Sequence, residues 1–130
     1  MIAAKTARNE RGQAMVETAI VLPLLLLVLL GLIQFGLVFR DYLALVDAVR
    51  VGAREAAVSR DVPSPGAVAT AKVELAASDL DLNELDIEVA SSWAQGSEVR
   101  VTATYPYEVN LLGIVVKSGD LQSETRERVE

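Results

Sequence analysis

Apolar and polar positions divide the chain into three regimes. Residues 18–39 carry no formal charge over twenty-two positions. As an α-helix rising about 1.5 Å per residue they would cover roughly 33 Å, enough to cross a hydrocarbon core of about 30 Å. After Arg40 the apolar residues recur at three- and four-residue steps, through Tyr42, Leu43, Leu45, Val46, Val49, Ala53, Ala56 and Ala57. That spacing predicts that the same helix continues to about Arg60 as an amphipathic stem. Asp47, Arg50 and Arg54 form a charged stripe opposite the apolar one.

The third regime begins at Asp61-Val-Pro-Ser-Pro-Gly, which breaks the stem. Ser64 followed by Pro65 predicts the cap and first turn of a second helix running to about Ser78, with Val68, Ala71, Val73, Leu75, Ala76 and Leu80 on its apolar side. Leu85 to Ala90 and Val99 to Tyr105 then alternate apolar and polar residues around Ala94-Gln-Gly-Ser, a hairpin pattern. It places Leu85, Ile87 and Val89 on one face of the first strand and Val99, Val101 and Ala103 on one face of the second. Tyr105-Pro106-Tyr107 is expected to end that strand or put it at an edge, because proline cannot donate to a ladder. Asn110 to Val116 reads as an apolar connection, and Leu121 to Val129 as a third strand after Lys117-Ser-Gly-Asp. Leu111, Leu112, Ile114, Val115 and Val116 are either core or an exposed contact patch, and core is the favoured reading for so small a head. The predicted fold class is α+β: a long N-terminal transmembrane helix, continuing as a stem, packs with a second short helix on a small antiparallel sheet.

Charge follows the same division. The first twelve residues are net +2 through Lys5, Arg8 and Arg11 against Glu10, while the whole chain is −6. A basic flank before a span predicts a cytoplasmic N-terminus and an extracytoplasmic head. The head's excess of carboxylates argues against binding nucleic acid or anionic lipid. With no cysteine the head must stand without disulfides, and with no histidine the commonest metal ligand and general base is missing. No catalytic residue, cofactor or metal site is expected. Asp79-Leu-Asp-Leu-Asn-Glu offers alternate oxygen ligands but lacks the glycine and final glutamate of a calcium loop, so a solvated loop is expected there. Trp93 reads equally as a surface contact or as an anchor of the sheet edge.

Within the span, Pro23 lacks an amide hydrogen and is expected to bend the helix near Ala19. Gly31 and Gly36 are five apart, which does not make a helix-dimer ridge. Gln34 is read as an interfacial amide rather than a cross-helix bond. An ordinary secretory signal fits poorly, because the apolar run is too long and ends without a small-residue cleavage site. A plain uncleaved anchor fits the hydropathy but leaves Glu17 unexplained, since a carboxylate at bilayer mid-depth costs about 2.5 to 3.5 kcal/mol and less near the interface.

Arg11-Gly12-Gln13-Ala14-Met15-Val16-Glu17 resembles the processing site of type IV pilin-like proteins, where a prepilin peptidase cuts after a glycine and a glutamate stands fifth in the mature chain. With the following Thr18 to Leu27, with Gly31-Leu-Ile-Gln-Phe-Gly36 and with Ala48 to Ala57, it is similar to the TadE/TadF family of minor pilins or pseudopilins of tight-adherence (Tad/Flp) systems. Thr18 stands where family members often carry an aromatic residue.

The resemblance implies cleavage between Gly12 and Gln13, and a new Gln13 α-amino group whose counter-charge is Glu17. It divides the chain into a leader (1–12), a transmembrane helix (13–39), a stem (40–60) and a pilin-like head (61–130). Its implied partners are prepilin peptidase, other pilin and minor pilin subunits, the pilus assembly platform and the membrane. It also gives Asp47, Arg50 and Arg54 a possible contact role, beside the plainer reading of a solvated face. The expected function is a non-enzymatic structural subunit that assembles or primes a pilus used in adhesion or secretion. It would sit in the inner membrane as a single-pass protein or pass from there into an extracellular pilus. The alternative is an unprocessed single-pass anchor with an interaction module in the cell envelope.

Overall fold

A computed structural model describes the backbone of residues 2–130 and the side chains of residues 10–130. Lys5 and Arg8 of the basic leader lie outside the described side chains. Helix α1 runs from Ile2 to Val58, 57 residues, or roughly 85 Å. It is followed by α2 (Pro65–Ala76) and three strands, β1 (Asp86–Ser91), β2 (Glu98–Leu111) and β3 (Ile114–Arg128). The strands form one antiparallel sheet in the order β1-β2-β3, and the fold is α+β as expected.

The core lies where the upper part of α1 crosses the sheet beside α2. Leu45, Ala48, Val49, Ala53 and Ala56 of α1 are fully buried, together with Ala69 and Val73 of α2 and Val99, Val101 and Ala103 of β2. Most of these residues are small, which lets backbones approach. A Cβ added to Gly52 would overlap Val73 Cγ2 and stand 3.3 Å from the Ala69 carbonyl oxygen. Gly52 is therefore the crossing point of α1 and α2, and its lack of a side chain sets their spacing. The chain end closes the top of this core: Glu130 N–H donates to the Ala57 carbonyl at 2.9 Å, and Val129 exchanges hydrogen bonds with Gly96 and Ser97 at 2.8 Å each.

The sheet register confirms the inward face of the hairpin. Ile87 pairs with Ala103 and Val89 with Val101, and β3 adds Leu121, Ser123 and Thr125 to the same side. The exact apolar faces differ from expectation on both helices. On the stem, Tyr42 and Leu43 are exposed while Ala48 and Gly52 are buried. On α2, Leu75 is 72% exposed and Ala71 and Ala76 also face outward, whereas Ala69 and Val73, with Ala77 and Leu80 in the turn that follows, face the core. The inward residues follow spacings of four, four and three, so small alanines take the contact and the larger Leu75 is left outside. Ser64 occupies the cap position of α2 but makes no side-chain cap bond.

The larger correction concerns residues 105–121. Pro106 does not end β2, which continues to Leu111 and is the central strand of the sheet. Pairing with β1 stops at Thr104, however, so beyond that point β2 has β3 on one side only, and proline is tolerated on its free edge. The segment read as a connection is the end of a long hairpin. Leu112 (φ 53) and Gly113 (φ 85) form a two-residue turn with both φ values positive, the geometry that matches strand twist. Asn110 Oδ1 accepts the Gly113 N–H at 2.9 Å, so the turn amide is satisfied locally. Strand β3 thus begins at Ile114 rather than Leu121, and Lys117 to Asp120 lie within it. Gly119 is not a turn residue: it sits under Tyr107, whose ring would be 3.1 Å from an added Cβ. A register shift follows Val109, leaving Val116 as the extra residue of β3.

Leu112, Ile114, Val115 and Val116 are consequently exposed, at 75, 70, 49 and 60%, and Leu111 is only half-buried. They are the exposed patch and not the core. The alanine- and valine-rich junction at α1 needs no further large side chains to close it.

Candidate functional site: the head of the span and the stem

The candidate residues are strung along one helix rather than gathered in a pocket. Gly12, Gln13 and Glu17 lie in consecutive turns of α1, and Gly12 has open space around its Cα. Gln13 Nε2 donates to Glu17 Oε1 at 3.1 Å across one turn. Thr18 Oγ1 donates to the Ala14 carbonyl at 2.9 Å, back-bonding to the helix and leaving its methyl to the apolar surroundings. Position 18 therefore tolerates a hydroxyl without an orphan polar atom. Glycine costs a helix about 1 kcal/mol relative to alanine, so Gly12 is the position in this turn at which the helix unwinds most easily.

From Thr18 to Leu29 every residue of the helix is exposed within the chain. Leu24 to Leu29 and Leu32 are each 41–65% exposed, and a helix spanning Glu10–Val58 is long and apolar enough to cross a membrane. Pro23 lies inside this helix and leaves the Ala19 carbonyl without its amide partner. Gly31 and Gly36 have open space, and Phe35 and Phe39 stack with centroids 6.3 Å apart. Arg40 and Asp41, bonded at 2.9 Å, are the first charges after the apolar run.

On the stem, Asp47 and Arg50 approach to 3.9 Å with both side chains at least 70% exposed, and Arg54 is exposed beside them. Such a pair contributes little to stability, so the stripe is available to a partner. The nearby Glu55 reaches Lys72 of α2 at 3.9 Å and is part of the head's own packing. The acidic loop behaves as a turn: Asp81 Oδ1 accepts from Asn83 N at 3.0 Å and Nδ2 at 2.9 Å, and Asp81 N–H donates to the Tyr105 hydroxyl at 3.3 Å. Trp93, at φ 57, is half-buried against the core near Gly66, which makes it an anchor of the sheet edge.

Two features escaped sequence reasoning. Gly52 was passed over inside the Ala48 to Ala57 segment, although glycine in a run of alanines on a stem signals close approach. The ionic ladder on the outer face of the sheet joins residues distant in sequence. Arg126 Nε meets Glu124 at 2.7 Å, and Arg100 bridges Glu98 at 3.5 Å and Glu124 at 3.7 Å. The Arg126 hydrogen bond holds the Glu124 carboxyl below its ordinary range, with the charges of Arg126 and Arg100 acting in the same sense.

Residues 12–54 match the family model described as TadE-like protein. The matched segment starts at Gly12, takes in Glu17 and the apolar run, and ends in the stem two residues after Gly52. Neither the curated proteins nor the solved structures gave a match.

Proposed function

We propose that this chain, TadE-like over residues 12–54, is a minor pilin or pseudopilin: a non-enzymatic subunit cut after Gly12 and assembled through its span into a Tad-type pilus. The family match supports the coarser statement that it is a Tad pilus-associated membrane protein. The observation that carries the finer reading is the division of α1. Its upper part is buried by the head, while its lower part, residues 18–39, is uncharged, mostly apolar and exposed from Thr18 to Leu29, with Gly12 and Glu17 five residues apart just before it. Such a helix is stable in lipid and, once extracted, against the spans of other subunits.

Cutting at Gly12 would replace the Gln13 backbone amide by an ammonium four residues from Glu17. In an apolar bundle, removing one partner of such a pair strands the other charge, at a cost an exposed pair does not incur. Glu17→Ala should therefore leave membrane insertion intact and lower the amount of subunit found in sheared pili. Normal pilus content in that variant would sink the assembly role. N-terminal sequencing of membrane-isolated protein tests the cut directly, with Gln13 expected as the first residue.

One observation favours a second reading. The Gln13 side chain already gives Glu17 a partner in the uncut chain, as an unprocessed single-pass anchor requires. A mature protein that still begins at Met1 would decide for the anchor.

A further inference from the structure

The end of the β2–β3 hairpin has no partner in the head, and its position relative to α1 indicates what covers it. Beyond Thr104 the two strands form a free ribbon. The start of β2 is held at the top of the stem, where the chain end bonds to Ser97 and Ala57. From there β2 runs for 14 residues, roughly 43 Å at about 3.3 Å per residue. Descending α1 from Ala57 by about 40 Å reaches Leu30 at about 1.5 Å per residue. That is the greatest reach, for aligned axes, and any crossing angle stops the ribbon higher; α1 records how far the neighbour comes. Its stripe of reduced exposure does not stop at the core residue Leu45 but continues on the same face through Asp41, Val38 and Gln34. Of the elements that pack on α1, only β2 and β3 extend beyond the core in that direction.

Residue chemistry along the ribbon repeats that of the helix beside it. The tip is apolar, with Leu112, Ile114, Val115 and Val116 exposed. Lys117, opposite Val109, stands two pairs or about 7 Å above Leu111, and next come Glu108 opposite Ser118, Tyr107 opposite Gly119 and Asp120 opposite Pro106. On α1, Leu30 to Phe39 is apolar, and Arg40, Asp41 and Tyr42 follow. A lysine and a tyrosine on the ribbon thus stand level with an arginine and a tyrosine on the helix. Apolar residues capped by a cation and an aromatic ring are what a membrane–water boundary selects.

We propose that the hairpin tip is a lipid-seated wedge, immersed in the headgroup–acyl boundary of the leaflet on the head's side, so that the subunit holds the membrane by its span and by this tip. The proposal rests on residues 18–39 lying in lipid. The depth is interfacial, about 5–10 Å below the boundary, because a two-stranded ribbon leaves edge amides that hydrocarbon alone cannot satisfy. Two features reduce that cost: Pro106 has no amide hydrogen, and the Gly113 amide is held by Asn110. Seating the tip would fix the tilt and rotation of the head over the membrane, which a single spanning helix leaves free. It would also have to be withdrawn when the subunit leaves the bilayer.

The chain has no cysteine, so single-cysteine variants of the full chain can be labelled with bimane and reconstituted one copy per nanodisc. Positions 112, 114 and 116 report the tip, 25 the span and 83 the head. Lipids doxyl-labelled high on the acyl chain should quench the tip probes by about half or more, with little quenching at Asn83 and strong quenching of the Leu25 probe by deep doxyl groups. Adding Ile114→Glu with Val116→Glu should release a probe at Leu112 from quenching. If the Leu25 probe is quenched but the tip probes behave like that at Asn83, the wedge is wrong, the span stands, and a protein partner covers the tip. If the Leu25 probe is not quenched either, the membrane reading fails along with the wedge.

Discussion

Along α1, residues 18–29 are mostly large and bare within the chain, whereas residues 45–57 on its inner face are mostly small and covered. The lower run is mainly leucine and valine, with Leu26 exposed at 51%. The upper run buries Ala48, Ala53 and Ala56 completely. Both are apolar, so hydropathy alone does not tell them apart. What differs is the nature of the partner. Lipid chains or a bundle of equivalent spans conform to large side chains, while a fixed partner such as α2 must approach a backbone, and only alanine and glycine permit that.

The largest expected effect comes from emptying the covered half. Leu45→Ala should destabilise the head by about 2–5 kcal/mol, the range for a fully buried leucine, whereas Leu26→Ala should leave head unfolding unchanged. Both can be read in detergent from Trp93, the single tryptophan. Equal effects at the two sites would end the distinction between the halves.

A sharper contrast lies in the glycines. Gly52→Ala gains about 1 kcal/mol of helix propensity, but its methyl overlaps buried Val73 and crowds the Ala69 carbonyl. Overpacking of about 1–3 kcal/mol outweighs the gain, and the head's melting midpoint should fall. Gly36→Ala meets open space and should not lower it. If Gly52→Ala stabilised the head, α1 and α2 would not be as close as their geometry requires.

The third comparison sets the hairpin against the core. Gly113 at φ 85 would be strained as valine by about 1–2 kcal/mol. Because the turn lies far from the buried cluster, that cost should appear in faster amide exchange of Leu111 and Ile114, with the global midpoint little moved. A loss of global stability as large as that of Leu45→Ala would mean that the ribbon is part of the core after all.

These contrasts also show where sequence patterns carried information. The span, the stem and the first hairpin were legible because their periods, uninterrupted apolar, 3.6 and 2, persist for many residues. The spacing of Gly12 and Glu17 carried the family resemblance, and the family match begins at the same glycine. Residues 105–121 misled for physical reasons. Pro106 signals an edge, and the strand does become an edge there, but only after β1 has ended. Lys117-Ser-Gly-Asp has turn composition, yet Gly119 is required by the Tyr107 ring packed over it. The true turn, Leu112-Gly113, carries a leucine at positive φ where asparagine would be the usual signal. The apolar tip was assigned to the core on the assumption that a small head must bury every large side chain. That assumption fails because alanines on α1 and α2 close the core by backbone approach.

The smallest effect is expected on the outer face of the sheet, where neither lipid nor core covers the side chains. Glu124 accepts from Arg126 at 2.7 Å, and the two side chains are 36 and 52% exposed. Its carboxyl is held below the ordinary value of 4.5, first by that hydrogen bond and then by the charges of Arg126 and Arg100. A depressed folded-state pKa means that the unfolded chain takes up the proton first on acidification. The stabilisation is therefore fully present above about pH 4.5 and is lost as pH falls through the lower folded-state value. Solvent screening keeps it slight. Glu124→Gln should melt marginally below the wild type at neutral pH, with the gap narrowing as the pH is lowered past 4.5 and closing once the folded carboxyl is protonated. A gap that widened on acidification would mean that Glu124 is held by burial rather than by its arginines, and that a partner covers the outer face.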